Sequence, residues 1–330
     1  PPARTGRTVA EATVRGEFLC NRNEPNVCVL DWTRWRWAGE PEFHALAEVL
    51  KADRQVRDSL GLEHRGGEML QPWYAKQYDT KHYGELELEY AFEIGEMPEG
   101  TVYLAGERPE LNHYAINGVA LTSTDINDFW IDDCFKKMQI PAGALRLGRN
   151  TVTVRVSFMR TTNIEALYLV GEFGVKAQGQ ICTLTGLPKR IGCENYENYG
   201  LPFYTGCMTY RLTPEQYRGI LGDAADQAER ILLSPASFTG GCVKVSAMGR
   251  TTVLGWEPYE ADVTEAVRAG ASIDVTVVGT RRNVFGPLHQ IPKIAGACGP
   301  GNFTTEGAGW TDEYSLIDSG LTGITLRAQV

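Results

Sequence analysis

A single strand-and-turn plan occurs twice in this 330-residue chain, and that repeat limits its fold more than any single residue does. The first copy runs through Tyr114-Ala115-Ile116-Asn117-Gly118-Val119, the aromatic-acidic stretch Phe129-Trp130-Ile131-Asp132-Asp133, and the strand entry Gly148-Arg149-Asn150-Thr151-Val152. The second runs through Val243 to Gly249, Trp256 to Thr264, and Gly270 to Gly279. Strand, tight glycine turn, aromatic-acidic segment, turn and alternating apolar strand, in that order, predict antiparallel sandwiches rather than a helical enzyme. In the second copy Met248-Gly249 stands where the pattern calls for Asn-Gly, so the two turns are not assumed to share a type.

The strands themselves are legible from period 2. Glu85 to Ile94 places Leu86, Leu88, Tyr90, Phe92 and Ile94 on one face and mostly glutamates on the other, so one face packs and one meets water. Thr151 to Phe158 turns Val152, Val154, Val156 and Phe158 to one side, and Ile273–Val278 and Gly323–Val330 read the same way. The expected fold is mainly β: two antiparallel sandwiches in tandem behind a short N-terminal strand and helix connector. The connector takes residues 1–70, with one amphipathic helix over Glu42–Leu60; the sandwiches take 71–180 and 181–330, the second with a helical insertion near Thr213–Glu229.

Length supports two cores, and 43% hydrophobic residues with a mean hydropathy of −0.25 fit an ordinary globular chain. A net charge of −9 without a dense basic cluster argues against a nucleic-acid partner, and no apolar run reaches a membrane span. Eight cysteines lie scattered without metal or redox spacing, which favours free buried thiols over one or two bridges. The chain starts Pro1-Pro2 with no signal peptide, as expected of a piece of a longer protein, so its compartment is not legible from this end.

The Asn117-Gly118 turn, the acidic-aromatic stretch to Asp133 and the Gly148–Val152 strand entry resemble the sugar-binding domain of family 2 glycoside hydrolases, a galactose-binding-like jelly roll. Trp256–Thr264, Arg282–His289, Gly200–Tyr204 and Trp310–Tyr314 resemble the same domain type in the C-terminal regions of large bacterial glycoside hydrolases of the rhamnosidase kind. The resemblance covers about residues 70–330. It implies an accessory region that braces a catalytic domain of the same parent protein and engages carbohydrate. In that family the catalytic acids sit on a separate barrel, and no eight-fold strand–helix alternation occurs here, so no catalytic residue is carried over.

Sugar recognition needs flat aromatics for the pyranose face and planar polar groups for the hydroxyls. The expected ligand-binding set is Trp256, Glu257, Tyr259, Arg282, Asn283, His289, Trp310 and Glu313, with Trp73, Tyr74, Trp130 and Arg281 as further candidates. Each also has a plainer role, as a core plug or a turn acceptor. Trp310 closes the Gly-rich stretch from Gly296, where an exposed ring stacks on sugar or packs on the catalytic domain. Two rival readings are a glycosidase in its own right, using Glu257 and Asp312-Glu313, and an interaction module with no sugar site. No cofactor is expected. A structural calcium ion at Asp125, Asp128, Asp132 and Asp133 competes with a solvated acidic turn, which the absence of a spaced ligand loop favours. Asn302-Phe303-Thr304 is a glycosylation sequon, meaningful only in a eukaryotic secreted protein.

Overall fold

The computed structural model describes residues 6–65, 81–122 and 128–330. The chain is mainly β, as expected, with few and short helices. It divides into two compact units: one holds Pro25–Leu187 and Val284–Ile317, the other Pro1–Glu24, Pro188–Asn283 and Asp318–Val330. These units are drawn differently from the ranges 1–70, 71–180 and 181–330: of the described residues before 66, 6–24 fall in the second unit and 25–65 in the first.

The reason lies in strand pairing. In the first unit Asn26–Leu30 pairs with Leu167–Glu172, and Trp32–Trp37 pairs with His82–Ile94, in register Trp35↔Leu88. In the second, Thr8–Val14 pairs with Ile324–Gln329, with Ala12 opposite Leu326. Local alternation shows that a segment is a strand but not which distant edge completes its hydrogen bonds.

The repeat is visible in the topology. The first unit orders four strands as Val119–Leu121, Asn112–Ile116, Gly148–Met159, His82–Ile94; the second orders Arg250–Leu254, Cys242–Ala247, Ile273–Val278, Cys207–Leu212. Both hairpins close with two residues at positive φ: Asn117 (49°) and Gly118 (84°), Met248 (50°) and Gly249 (77°). The turns therefore share one conformation despite the Met for Asn exchange. Asn117 is anchored by its amide, which donates to Asn150 Oδ1 at 2.7 Å and to Ala144 O at 2.8 Å and accepts from Thr151 N at 3.0 Å. Met248 has no equivalent polar group.

The other sheet of the first unit runs Phe129–Trp130, Asp132–Gln139, Glu99–Glu107, Leu167–Glu172, Asn26–Leu30. One cross-strand row, Met138, Leu104, Leu169 and Cys28, is buried, as a core-facing side requires. The opposite face, with the cross-strand pairs Phe135–Glu107 and Tyr168–Val29, forms the floor of the cleft described below.

The expected helix over 42–60 starts only at Val49 and runs to Ser59, because Glu48 caps it: Glu48 Oε2 accepts from Leu50 N at 3.0 Å and Lys51 N at 3.3 Å. Within this helix Asp53 and Arg57 are buried as a pair 2.7 Å apart. Arg57 also donates to Arg160 O and Thr162 O, and Asp53 accepts from Ile164 N, which ties the helix to the 160–165 loop. The helical insertion is Pro214–Leu221, with a Thr213–Gln216 capping box, followed by the single turn Ala224–Gln227. All eight cysteines are free; Cys28, Cys182 and Cys193 are buried.

Candidate functional site

Period 2 determines which side chains share the outer face of the five-stranded sheet. Phe135 lies opposite Glu107, Ala105 opposite Tyr168, and Tyr168 opposite Val29; two residues beyond Val29, the same parity brings Asp31 to this side. Above this floor lie the helix start Glu48–Leu50, the Val284–His289 segment and Phe303. Together they enclose a cleft of about 310 Å³, near the lower end of the size range for small-ligand sites.

One wall of the cleft is aromatic. Phe285 stacks on Phe135 with centroids 5.0 Å apart and planes 13° apart, and Tyr168 meets Phe285 edge-on at 5.6 Å. Trp130 backs the group, 5.1 Å from Tyr168 and 5.8 Å from Phe285, and is buried in its plainer role as core. Phe303 is 37% exposed at the rim.

Apolar residues, among them Val29, Leu50, Val284 and Leu288, make up much of the rest; the acidic side chains of the lining are Asp31, Glu48, Glu107 and Glu165, with His289 as the one basic side chain among the described residues of the lining. Glu165 is bound by Arg65 at 2.8 Å. Asp31 accepts from Tyr314 OH at 2.7 Å and faces His289 Nε2 at 3.1 Å. His289 Nδ1 lies 3.1 Å from both Thr311 O and Glu313 O, so the hydrogen-bond partners of both ring nitrogens are acceptors, an arrangement that favours the protonated ring. Burial works against that charge, but the hydrogen bond and charge of Asp31, helped by Glu48, outweigh it and raise the His289 pKa.

Glu48 behaves in the opposite sense. Burial and the charge of Asp31 push its carboxyl up to about 7, against the lowering effects of His289 and its two backbone donors. Both backbone hydrogen bonds reach Oε2; Oε1, on a residue only 7% exposed, takes none among the described residues. Glu107 is also raised, first by burial and then by the charge of Glu165, and it forms no ion pair among the described residues.

Of the residues expected from sequence, the structure gathers His289, Trp310 and Glu313. Backbone bonds from Thr311 N to His289 O and from Ser315 N to Leu288 O hold the two segments together. Trp310 is half-buried, 6.0 Å from the His289 ring and 6.1 Å from Trp32, with Lys51 Nζ 5.5 Å from its centroid. Glu313 Oε2 accepts from Gly179 N at 3.0 Å. Trp256, Glu257, Tyr259, Arg282 and Asn283 belong to the other unit. There Trp256 is 78% exposed, Tyr259 packs edge-on against Phe238 at 5.3 Å, and Arg282 is half-buried. Asn283 is buried and donates to Pro202 O at 3.2 Å; Arg281 pairs with Glu24 at 2.8 Å and donates to Thr205.

Trp73, Tyr74 and Asp125 lie outside the described residues. The other acids of the suggested calcium turn are engaged elsewhere: Asp128 with Lys137 at 3.0 Å, Asp133 with Lys136, and Asp132 Oδ1 with Cys134 N. Asp31, Glu48, Glu107, Phe135, Tyr168 and Phe285 were not legible as a site, although Asp31, a lone acid closing the apolar run Val27–Leu30, carried a local signal.

No protein-family model and no curated protein matches the sequence. Among solved structures, the chain is similar to a β-D-mannosidase from Dictyoglomus thermophilum at 10% identity and a TM-score of 0.28, over 82% of this chain and 31% of that one. It is similar also to a β-glucuronidase from Ruminococcus gnavus at 11% identity and a TM-score of 0.30, over 80% of this chain and 40% of that one. The chain thus spans less than half the length of either protein.

Proposed function

We propose that this chain is a non-catalytic carbohydrate-binding region of a larger bacterial glycoside hydrolase, two galactose-binding-like sandwiches that brace its catalytic domain and hold glycan in the Asp31–His289 cleft. The observation that carries the reading is that one cleft holds both the Phe135–Phe285–Tyr168 aromatic cluster and the carboxyl side chains of Asp31, Glu48, Glu107 and Glu165. Aromatic faces receive the C–H side of a pyranose, and carboxylate oxygens accept from its hydroxyls. The sequence resemblance to sugar-binding domains of family 2 points the same way. Titration of the chain against a glycan panel by calorimetry tests it: binding that is lost in Phe285→Ala supports the reading, and a panel with no binder overturns it.

A second reading, glycoside hydrolysis involving this chain, is favoured by one observation. Glu48 has the near-neutral pKa of a general acid and shares its cleft with other carboxylates. Release of chromophore from aryl glycosides by the chain, abolished in both Glu48→Gln and Glu107→Gln, would establish it in place of the first.

A further inference from the structure

The charges around the cleft do not cancel. Asp31 is offset by His289 at 3.1 Å and Glu165 by Arg65 at 2.8 Å, whereas Glu48 and Glu107 have no ion-pair partner among the described residues. No lysine or arginine belongs to the lining among the described residues. Glu48, raised to about 7, is only about half ionised at neutral pH; a neutral ligand that closed this cleft would push it and Glu107 further towards the uncharged acid, whereas a cation favours both carboxylates. An anionic sugar would be repelled by every ionised carboxylate of the lining. An ammonium group does the reverse: it brings charge and three donors, and an aromatic face within about 6 Å adds attraction. Glu48 Oε1 is an acceptor already in place for one of those donors, on a side chain more than nine-tenths buried whose other oxygen is fixed by the helix start.

We propose that the cleft is selective for an amino sugar with a free, protonated amine, such as a glucosamine residue, its ammonium received by Glu48 and Glu107 and its ring lying against Phe285 and Phe135. This rests on the carbohydrate reading of the same cleft. The amine sets the specificity and the aromatic wall demands a ring, so a bare amine satisfies only half of the site.

Isothermal titration at pH 7 with glucosamine oligosaccharides, their N-acetylated counterparts of equal length, glucuronate oligomers and cadaverine tests the assignment. The expected result is binding of the free-amine oligosaccharide at least 10-fold tighter than its N-acetylated form or cadaverine, and none of the glucuronate. Glu107→Gln, at a half-exposed side chain outside the hydrogen-bond network, should abolish the preference for the amine while retaining a folded spectrum; Glu48→Gln, which keeps an oxygen for the helix cap, should do the same. Equal affinity for free-amine and N-acetylated sugars overturns the amine assignment and leaves the carbohydrate reading standing. Cadaverine bound as tightly as the oligosaccharide overturns the assignment to a sugar, and no binding of any sugar overturns both.

Discussion

His289 Nε2 lies 3.1 Å from Asp31 Oδ2, and the two side chains are almost wholly buried, 6% and 5% exposed. Residues 258 positions apart thus form an ion pair at the edge of the cleft. Breaking such a pair from one side leaves a buried charge. Asp31→Asn is expected to bring the His289 pKa below its ordinary value, since burial then dominates, and to lower that of Glu48 by removing a neighbouring negative charge. Histidine ring chemical shifts followed against pH measure the first effect; an unchanged titration would show that Asp31 does not hold the proton on His289.

Stability should fall as pH rises from 5 to 7.5. A carboxyl raised from 4.5 to about 7 keeps a proton in the folded chain that the unfolded chain has already released, so Glu48 contributes fully below pH 4.5 and its contribution is lost as pH climbs through 7. The size is about 3 kcal/mol at most. His289, also raised, acts in the same direction from about pH 6.5 upward. Urea unfolding across this window should show the decline, and Glu48→Gln should flatten it; stability rising towards pH 7.5 would contradict the assignment.

Asp53→Ala should destabilise the first unit by about 3–5 kcal/mol, because Arg57, 3% exposed, keeps its charge and loses its carboxylate. The double variant Asp53→Ala, Arg57→Met should recover part of that loss. Denaturant midpoints decide, and a single variant within about 0.5 kcal/mol of the parent would mean that water reaches Arg57.

Met248→Asn should stabilise the chain by about 1 kcal/mol, since Met248 sits at φ 50° while 59% exposed and has little burial to lose. A thermal midpoint that moves down would place an unseen packing role on the methionine.

Phe285→Ala should weaken glycan binding by about 1–3 kcal/mol, or about 5- to 150-fold in Kd, by removing the ring at the centre of the aromatic cluster. Calorimetry on the folded variant checks it; unchanged affinity would move the binding surface elsewhere, with the exposed Trp256 as the next place to test.

Strands were legible because alternation is local. Leu86 to Ile94 and Val152 to Phe158 are buried on every second residue as their pattern requires, and Asn117-Gly118 closes the hairpin that its dipeptide predicts. The cleft was not legible because its members arrive from separate parts of the chain: Asp31 from the end of one strand, Glu48 from a helix cap, Glu107 and Tyr168 from neighbouring strands, Phe285 and His289 from far downstream. Helical spacing is equally silent on which charged residues of a periodic segment become buried. Asp53 and Arg57 are buried because the 160–165 loop supplies their remaining partners.

Sequence alone specified the class of fold, the repeat and the conformation of the first turn, since all three depend on residues within a few positions of one another. Tertiary structure decided the rest. Thr8–Val14 joins Ile324–Gln329 and Asn26–Leu30 joins Leu167–Glu172 because a strand edge must satisfy its hydrogen bonds wherever a matching edge lies, whatever the separation along the chain. The same closure carries Asp31 to His289, and the low dielectric that follows from burial gives Glu48 and His289 their altered affinities for a proton.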